Sequence, residues 1–439
     1  MKHHLTKALT EYGMVFVLLV LCAYFSVVTN TEQSPAGAAA ARQVVASIAR
    51  LGDAPRVIIA ASDQPADAEF ASAAERDLAA AGAEVVAVVI GAPSDARDAL
   101  VKAAGSGREI DAIACTDATG AWLVFSELEV DFPGLGAPRV ITAKPYRWPN
   151  FLKSENLLNI ANQIAVIAII AIGMTMVIIT AGIDLSVGSL IAFSAVLAAR
   201  FIRDYAGGVE ATPLGMTLAC FGAIVACGVI GAFSGAMITR FRIPPFIVTL
   251  AMMLVGSGLA YILAKGQSIY QIPDSFVWLG READLFGVPN AVVLMIILYA
   301  VAHIVMTRMR LGRYIYAVGG NIEAARLSGV PVKRVLMLVY IASAVLAGLG
   351  GVVMASQLKS GSATYGNMYE LYVIAAVVVG GTSLSGGEGK MLGTLVGAFT
   401  IAVIQNGMNL TNVESYTQKV VLGLVILGAV LLDKIRHRR

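Results

Sequence analysis

Seven stretches of this chain carry no charged side chain and are long enough to cross a bilayer as a helix, which takes about 20 mostly apolar residues. They are Tyr12–Thr31, Asn156–Ile183, Ala211–Thr239, Ile243–Ala264, Leu285–Thr307, Val335–Leu358 and Met391–Val413. Three shorter ones, Leu185–Ala199, Leu371–Gly387 and Val420–Leu432 (extendable back to Tyr416), raise the expected number of helices to about ten. The pattern changes between the first and second stretch. Arg56–Ala61, Glu84–Ile90, Asp111–Cys115 and a weaker Arg139–Thr142 are short apolar or β-branched runs that read as buried strands. Between them Asp67–Ala81, Asp95–Ala104 and Ala118–Glu129 are alanine-rich or amphipathic and read as helices, each opened by or just after an acid. Such alternation implies a small parallel sheet covered by helices. The Ala/Gly-rich Ser34–Arg42 before it reads as linker. The expected fold class is thus a polytopic α-helical membrane protein of about ten transmembrane helices with a small α/β domain inserted after the first. Residues 1–30 hold the N-terminus and first helix, 31–148 the α/β domain, and 149–439 a core of about nine helices.

Composition agrees: 57% of the 439 residues are apolar and 14% charged, against about 25% charged in soluble domains. Residues 31–150 hold 16 acids and 10 bases, the rest 13 acids and 22 bases. An acidic, water-soluble block therefore interrupts a basic, membrane-embedded chain. The net charge of +3 is small and the basic residues sit in loops without interleaved aromatics, which argues against nucleic acid as a partner. Cys22, Cys115, Cys220 and Cys227 have no Cys-x-x-Cys spacing or neighbouring His and read as packing residues. Cys22 follows Leu21 where lipidation needs a small residue.

Basic residues near helix ends resist export. Lys2 and Lys7, Arg240 and Arg242, the run Arg308, Arg310, Arg313, Arg326, Lys333 and Arg334, and finally Lys434, Arg436, Arg438 and Arg439 mark four cytoplasmic segments. Ten spans with both ends inside satisfy them, place residues 31–148 outside, and leave Arg200 and Arg203 as counter-examples. The first span resembles a signal peptide, with Ala36-Gly37-Ala38 as a cleavage-like site. Its apolar run Tyr12–Val28 is longer than the usual core of about 7–15 residues, so an uncleaved anchor is expected.

Three motifs in the membrane part are specific. Gly173-Met-Thr-Met-Val-Ile-Ile-Thr180-Ala-Gly182-Ile-Asp184-Leu-Ser-Val-Gly188, Leu311-Gly-Arg-Tyr-Ile-Tyr-Ala-Val-Gly-Gly-Asn321 followed by Ala325-Arg-Leu-Ser-Gly329, and Ala375-Ala-Val-Val-Val-Gly380-Gly-Thr-Ser-Leu-Ser-Gly-Gly387 resemble the membrane subunit of ribose-type sugar importers of the ATP-binding-cassette class. The resemblance runs from about Pro149 to Asp433 and implies a permease of the inner (cytoplasmic) membrane, surrounded by membrane lipid. It pairs with a second permease copy as a homodimer or heterodimer, receives a small sugar from a periplasmic sugar-binding protein and is driven by separate ATPase subunits. Within the basic loop 309–334, Glu323, Ala324, Ala325 and Gly329 have the spacing with which importer permeases dock a short helix into the ATPase, with Gly329 and Pro331 ending that helix. The plain reading of the loop is a solvated basic turn. Leu384-Ser-Gly-Gly-Glu388 and Gly389-Lys390 mimic ATPase motifs, but a phosphate loop requires Ser or Thr where Met391 stands, so no nucleotide is bound.

Asp184 lies between two apolar runs, and an intramembrane acid is a functional candidate. It can also cap a helix starting at Leu185. Gly182, Asp184, Ser186 and Gly188, with Gly380 and Gly381, form paired breaks of the kind that marks a translocation pathway. In the α/β domain, Ser62, Asp63, Thr116 and Asp117 fall at the carboxyl ends of strands, where ligands bind in such sheets. The run around Asp117 resembles one lobe of a periplasmic sugar-binding protein. Asp63 and Asp117 are the ligand candidates there, with helix capping as their other reading. No cofactor, metal cluster or catalytic constellation is expected, so the chain does not read as an enzyme. The competing function is an ion-coupled secondary transporter of small polar solutes, which would normally carry more intramembrane charge than Asp184. Labelling tests the topology: a cysteine introduced at Asp95 should react only from the extracytoplasmic side, and reaction only from the cytoplasmic side would overturn it.

Overall fold

The computed structural model describes residues 2–436, and the side chains of 13–431, so Arg438 and Arg439 lie outside it. It separates into two compact units: residues up to Thr29 together with those from Asn150 on, and Asn30–Pro149 between them.

Helix α1 (Lys2–Val28) leads into the second unit, which contains β1 (Asn30–Gln33), α2 (Gly37–Ile48), β2 (Arg56–Ala61), α3 (Pro65–Ala80), β3 (Glu84–Ile90), α4 (Pro93–Gly105), β4 (Ala112–Cys115), α5 (Asp117–Gly120), α6 (Leu128–Asp131), β5 (Arg139–Ile141) and β6 (Tyr146–Pro149). Strands β3-β2-β4-β5 form an all-parallel sheet in that order. Its middle strands are buried on both faces, as parallel strands require. Val57, Ile59 and Ala61 of β2 pack with α2 and α3, while Ile58 and Ala60 face Leu100 and Ala103 of α4. Burial pushes the Cys115 thiol on β4 up to about 12, so it is a packing group.

Two expectations need correction here. The Ala/Gly-rich segment taken as linker is largely helix α2, with Gly37, Ala40, Ala41, Val44, Val45 and Ile48 buried along one face at helical spacing. Alanine, the best helix former, makes this a helix with a small-residue contact surface. The expected helix Ala118–Glu129 is instead broken into α5, a 3-10 turn at Leu123–Phe125, and α6. Gly120 lies so close to the sheet that a Cβ there would come 2.5 Å from Thr142. Phe125, Leu128, Phe132 and Leu135 then reach the core at irregular spacing.

The unit begins and ends in a two-stranded antiparallel ribbon, with Asn30 opposite Pro149 and Gln33 opposite Tyr146.

The other unit continues with α7 (Ser154–Ile179), α8 (Val187–Tyr205), α9 (Pro213–Arg240), α10 (Pro245–Ala264), α11 (Asn290–Arg308), α12 (Arg310–Gly320), α13 (Ile322–Leu327), α14 (Val332–Leu358), α15 (Tyr369–Val379), α16 (Met391–Leu410) and α17 (Ser415–Arg436). Among the described residues α7, α9, α10, α11, α14 and α16 are each long and apolar enough to cross a membrane, and Gly13–Val28, α15 and Ser415–Leu431 are shorter apolar stretches. The chain is thus a mostly helical, polytopic membrane protein.

α7 is the axis: 89% of its most apolar window is buried, against 28% for α9 and for α10. On α9, Leu214, Leu218, Phe221, Val225 and Val229 form an exposed stripe suited to lipid, while Ala223, Cys227, Gly231 and Ser234 face inward. α14 packs on α7, α8 and α9. Small residues allow this approach; a Cβ on Gly231 would lie 2.6 Å from Ala344. Ser194 Oγ donates to Gly348 O at 2.7 Å and Tyr299 Oη to Ala168 O at 3.0 Å, so these two hydroxyls inside the bundle are paired across helices. Arg200 and Arg203, against the charge pattern by position, both pair with Asp204 (3.1 and 2.7 Å).

The expected short span Leu371–Gly387 is not a single helix. α15 has 11 residues, about 16 Å of a hydrocarbon core about 30 Å thick. The segment before it lies along α8, with Gly361 against Ala195 and Gly366 against Ile191.

Because the ends of the inserted unit are paired, replacing residues 34–145 by a tight turn should leave the membrane unit folded and inserted, with an unchanged detergent melting temperature. A fall of more than about 5 °C, roughly 2–3 kcal/mol for a domain this large, would show that the helices depend on the insert.

Candidate functional site

α7 stops at Ile179, and Ala181 takes a left-handed backbone conformation (φ 59°), turning the chain back along the bundle. Asp184 is 2% exposed. Its Oδ1 accepts from Ser186 N (3.0 Å) and Ser186 Oγ (2.6 Å), and its Oδ2 from Ser343 Oγ on α14 (2.8 Å). Ser343 in turn lies against Gly173, where a Cβ would come 2.7 Å from the Ser343 Cα. Gly173 precedes the end of α7 by six residues, about 9 Å, so Asp184 is held well inside the bundle. α8 starts at Val187, with Ser186 as its N-cap residue. Asp184 therefore does not cap a helix starting at Leu185. It binds one backbone N–H ahead of the helix and otherwise two hydroxyls, tying the break to α14.

The second break follows α15. Gly381, Gly386 and Gly387 have φ values of 88°, 84° and 77°, a left-handed series that side chains disfavour. Gly387 N donates to Ile179 O at 2.8 Å, closing the last turn of α7 from the other half of the chain. Gly386 packs on Ala181 and Gly319, and Tyr316 Oη of α12 donates to Gly389 O at 2.7 Å. The breaks at 180–186 and 380–390 thus interlock, with the end of α12 wedged beside them.

Of the pathway candidates, Gly182, Asp184 and Ser186 lie in the first break and Gly380 and Gly381 open the second. Gly188 lies apart: a Cβ there would meet Gly366 O at 2.6 Å, beside the carboxylate of Glu370. Glu370, Ser343, Tyr316 and Tyr340 were missed. Glu370 was legible as an acid opening an apolar run, and Ser343 only as one hydroxyl among many. Tyr340, whose ring end fills the space over Gly182, and Thr382 have buried hydroxyls with no hydrogen-bond partner among the described residues.

In the basic loop, Asn321 Oδ1 accepts from Glu323 N (3.0 Å) and Ala324 N (2.9 Å), starting α13. Glu323 and Arg326 pair at 2.7 Å on its surface. Gly329 (φ 81°) ends it. The alanine pair divides: Ala325 is buried against its own unit and Ala324 is exposed beside Ile322 and Leu327. The exposed surface of α13 thus combines one alanine and the apolar Ile322 and Leu327 with the Glu323–Arg326 ion pair.

In the α/β unit, Asp63 and Asp117 are both exposed, and neither caps a helix; the N-cap residues are Gln64 and Thr116. The polar cluster at the ends of β2 and β4 forms around Asp67, whose Oδ2 accepts from Ser62 Oγ (2.6 Å) and Thr116 Oγ1 (3.4 Å). Asp67, in the first turn of α3, fills the end of the sheet from within. No group of His, Cys, Asp or Glu that could hold a metal ion is present among the described residues.

The Asp184 contacts carry an expected outcome. Ser343→Ala removes one donor from a buried carboxylate and should destabilise the protein by about 1–3 kcal/mol, read as a lower melting temperature in detergent, with Ser343→Thr retaining most of the stability. Equal stability of Ser343→Ala and wild type would show that the Asp184–Ser343 bond is not a strut.

The family described as branched-chain amino acid transport system / permease component matches residues 156–430. The ribose import permease protein RbsC of Escherichia coli (strain K12) is 43% identical over 289 residues, 65% of this chain and 87% of that protein. RbsC of Bacillus subtilis (strain 168) is 42% identical over 288 residues, with the same coverage of both chains. The D-allose transport system permease protein AlsC of E. coli K12 is 35% identical over 285 residues, 65% of this chain and 85% of that protein. No solved structure matches the chain. Both interlocked breaks and the α12–α13 loop fall inside the matched region, and the chain belongs to this family of transport permeases.

Proposed function

We propose that the chain is the membrane subunit of an ATP-driven importer of small sugars in the inner membrane, forming the translocation pathway and working with separate ATPase subunits and a sugar-binding protein. The observation that carries this reading is the match of residues 156–430, which takes in both breaks and the basic loop, to permeases that include ribose and allose importers. Nothing among the relatives favours the ion-coupled secondary transporter. The three donors on Asp184 describe a carboxylate used for structure.

The finer parts of the reading follow from charge and geometry. Ten crossings, made by α1, α7–α11, α14, α16, α17 and the short α15 together with the non-helical segments on either side of it, put both ends and the α12–α13 loop in the cytoplasm and residues 31–148 outside. The translocation pathway runs beside the paired breaks, since non-helical backbone at membrane depth is tolerated where protein or a water-filled cavity covers it. A second permease copy completes that pathway. α13, with Glu323, Ala324 and Gly329, docks on the ATPase, and Ala325 seats it on its own bundle. The α/β unit modulates the approach of the binding protein, or holds sugar weakly as half of a cleft using Asp63 and Asp117. A single lobe buries less than the roughly 70–90% of a small ligand that binding sites normally cover. The variant lacking residues 34–145, assayed for uptake against binding-protein concentration, tests this role; an unchanged curve removes it.

Ala324→Trp or Gly329→Leu should lower ATP-driven uptake more than tenfold, about 1.4 kcal/mol of coupling, while the protein stays inserted and oligomeric. Unchanged uptake in both variants would rule out α13 as the docking element.

A further inference from the structure

A cavity of about 260 Å³ opens in the membrane unit between α7, α14, α15 and α16, at the end where α7 begins and α14 and α16 finish. It is separate from the interlocked breaks. Ile160, Gln163, Ile164 and Ile167 supply one wall, a single helical face of α7 by their spacing. Opposite stand Gln357, Gln405 and the ring of Tyr369. Three carboxamides and a phenol thus line a space whose other walls are apolar.

The amides are available. Gln357 is oriented by its Nε2, which donates to Asn162 O at 2.8 Å. Among the described residues neither Gln163 nor Gln405 has a side-chain hydrogen bond. A carboxamide offers donors and an acceptor, as a sugar hydroxyl does. No Asp, Glu, Lys, Arg or His lines the cavity, so an ion would find no counter-charge there. Its volume lies just below the range of drug-sized ligand pockets, about 300–1,000 Å³.

We propose that this cavity holds one neutral monosaccharide in transit, with Gln163, Gln357 and Gln405 bonding its hydroxyls and Tyr369 covering a ring face. The proposal rests on the sugar-importer reading and locates within it a selective step outside the binding protein. In the topology above the cavity faces the extracytoplasmic side, so the sugar reaches it first. Its open mouth gives a weak hold, which lets the sugar leave again.

The test uses the full chain with its ATPase subunits and binding protein in proteoliposomes, and labelled ribose, xylose and allose as probes. Gln163→Leu and Gln405→Leu should each lower uptake at subsaturating sugar by about five- to tenfold and shift the ratio among the three sugars, with the ATPase still co-purifying. Gln405→Asn should regain part of the loss, and Ala402→Phe, which fills the cavity without removing an amide, should reproduce it. Unchanged uptake and ratios in all three of these disruptive variants would overturn the site. So would a uniform loss with no change in ratio, which marks a structural role. If the unaltered complex takes up none of the three sugars, the importer reading itself fails for them and the cavity assignment falls with it.

Discussion

The constraint on which the membrane unit depends is that backbone interrupted inside an apolar bundle must find partners in protein. This chain interrupts its helices twice and makes each interruption the partner of the other. Gly387 N closes on Ile179 O, and Tyr316 reaches Gly389 O from α12. The glycines follow from that closure, since a side chain at 386 or 387 would have to occupy the left-handed region and the space held by Ala181 or Gly320. Asp184 does similar work one layer deeper, joining the first break to α14 through Ser343.

The axial position of α7 follows from the same requirement. A helix that carries a break at its end and is apolar all round belongs in the middle of a bundle. Its neighbours approach it and one another through glycine, alanine and serine, because lipid supplies no hydrophobic drive for helix association. The outer helices α9 and α10 keep their large apolar residues for lipid and their small ones for contact. Polar and apolar positions are divided helix by helix according to what each face meets.

Much of this was legible in the sequence because charge exclusion over about 20 residues is a strong signal, and the long apolar intervals coincide with α7, α9, α10, α11, α14 and α16. The strand at Arg56–Ala61 was equally plain, being apolar and bounded by polar residues on both sides. What failed had specific causes. Ser34–Arg42 looked like linker because alanine and glycine leave little hydrophobic contrast, yet alanine favours helix and packs closely. Leu371–Gly387 passed as a span because absence of charge says nothing of where a helix ends, and α15 stops at Val379, ahead of the left-handed Gly381, Gly386 and Gly387. Asp184 stands out in the sequence as an acid between apolar runs, but its partner Ser343 is 159 residues away and no local pattern joins them. Asp63 and Asp117 were chosen by their place at strand ends, while Asp67, inside the following helix, holds the hydroxyls there.

The ribbon of β1 and β6 bears on how such a chain could arise. Asn150 N donates to Thr29 O at 2.9 Å, so the membrane unit's own residues on either side of the insert are already one hydrogen bond apart. Closing a loop between neighbouring ends adds little entropy cost even when the loop is long, since that cost grows only with the logarithm of length. To a gene encoding the bare bundle, a segment of about 120 residues is then nearly equivalent to a short turn. Recombination at this junction could graft or discard a folded module in one event, with the reading frame as its main obstacle.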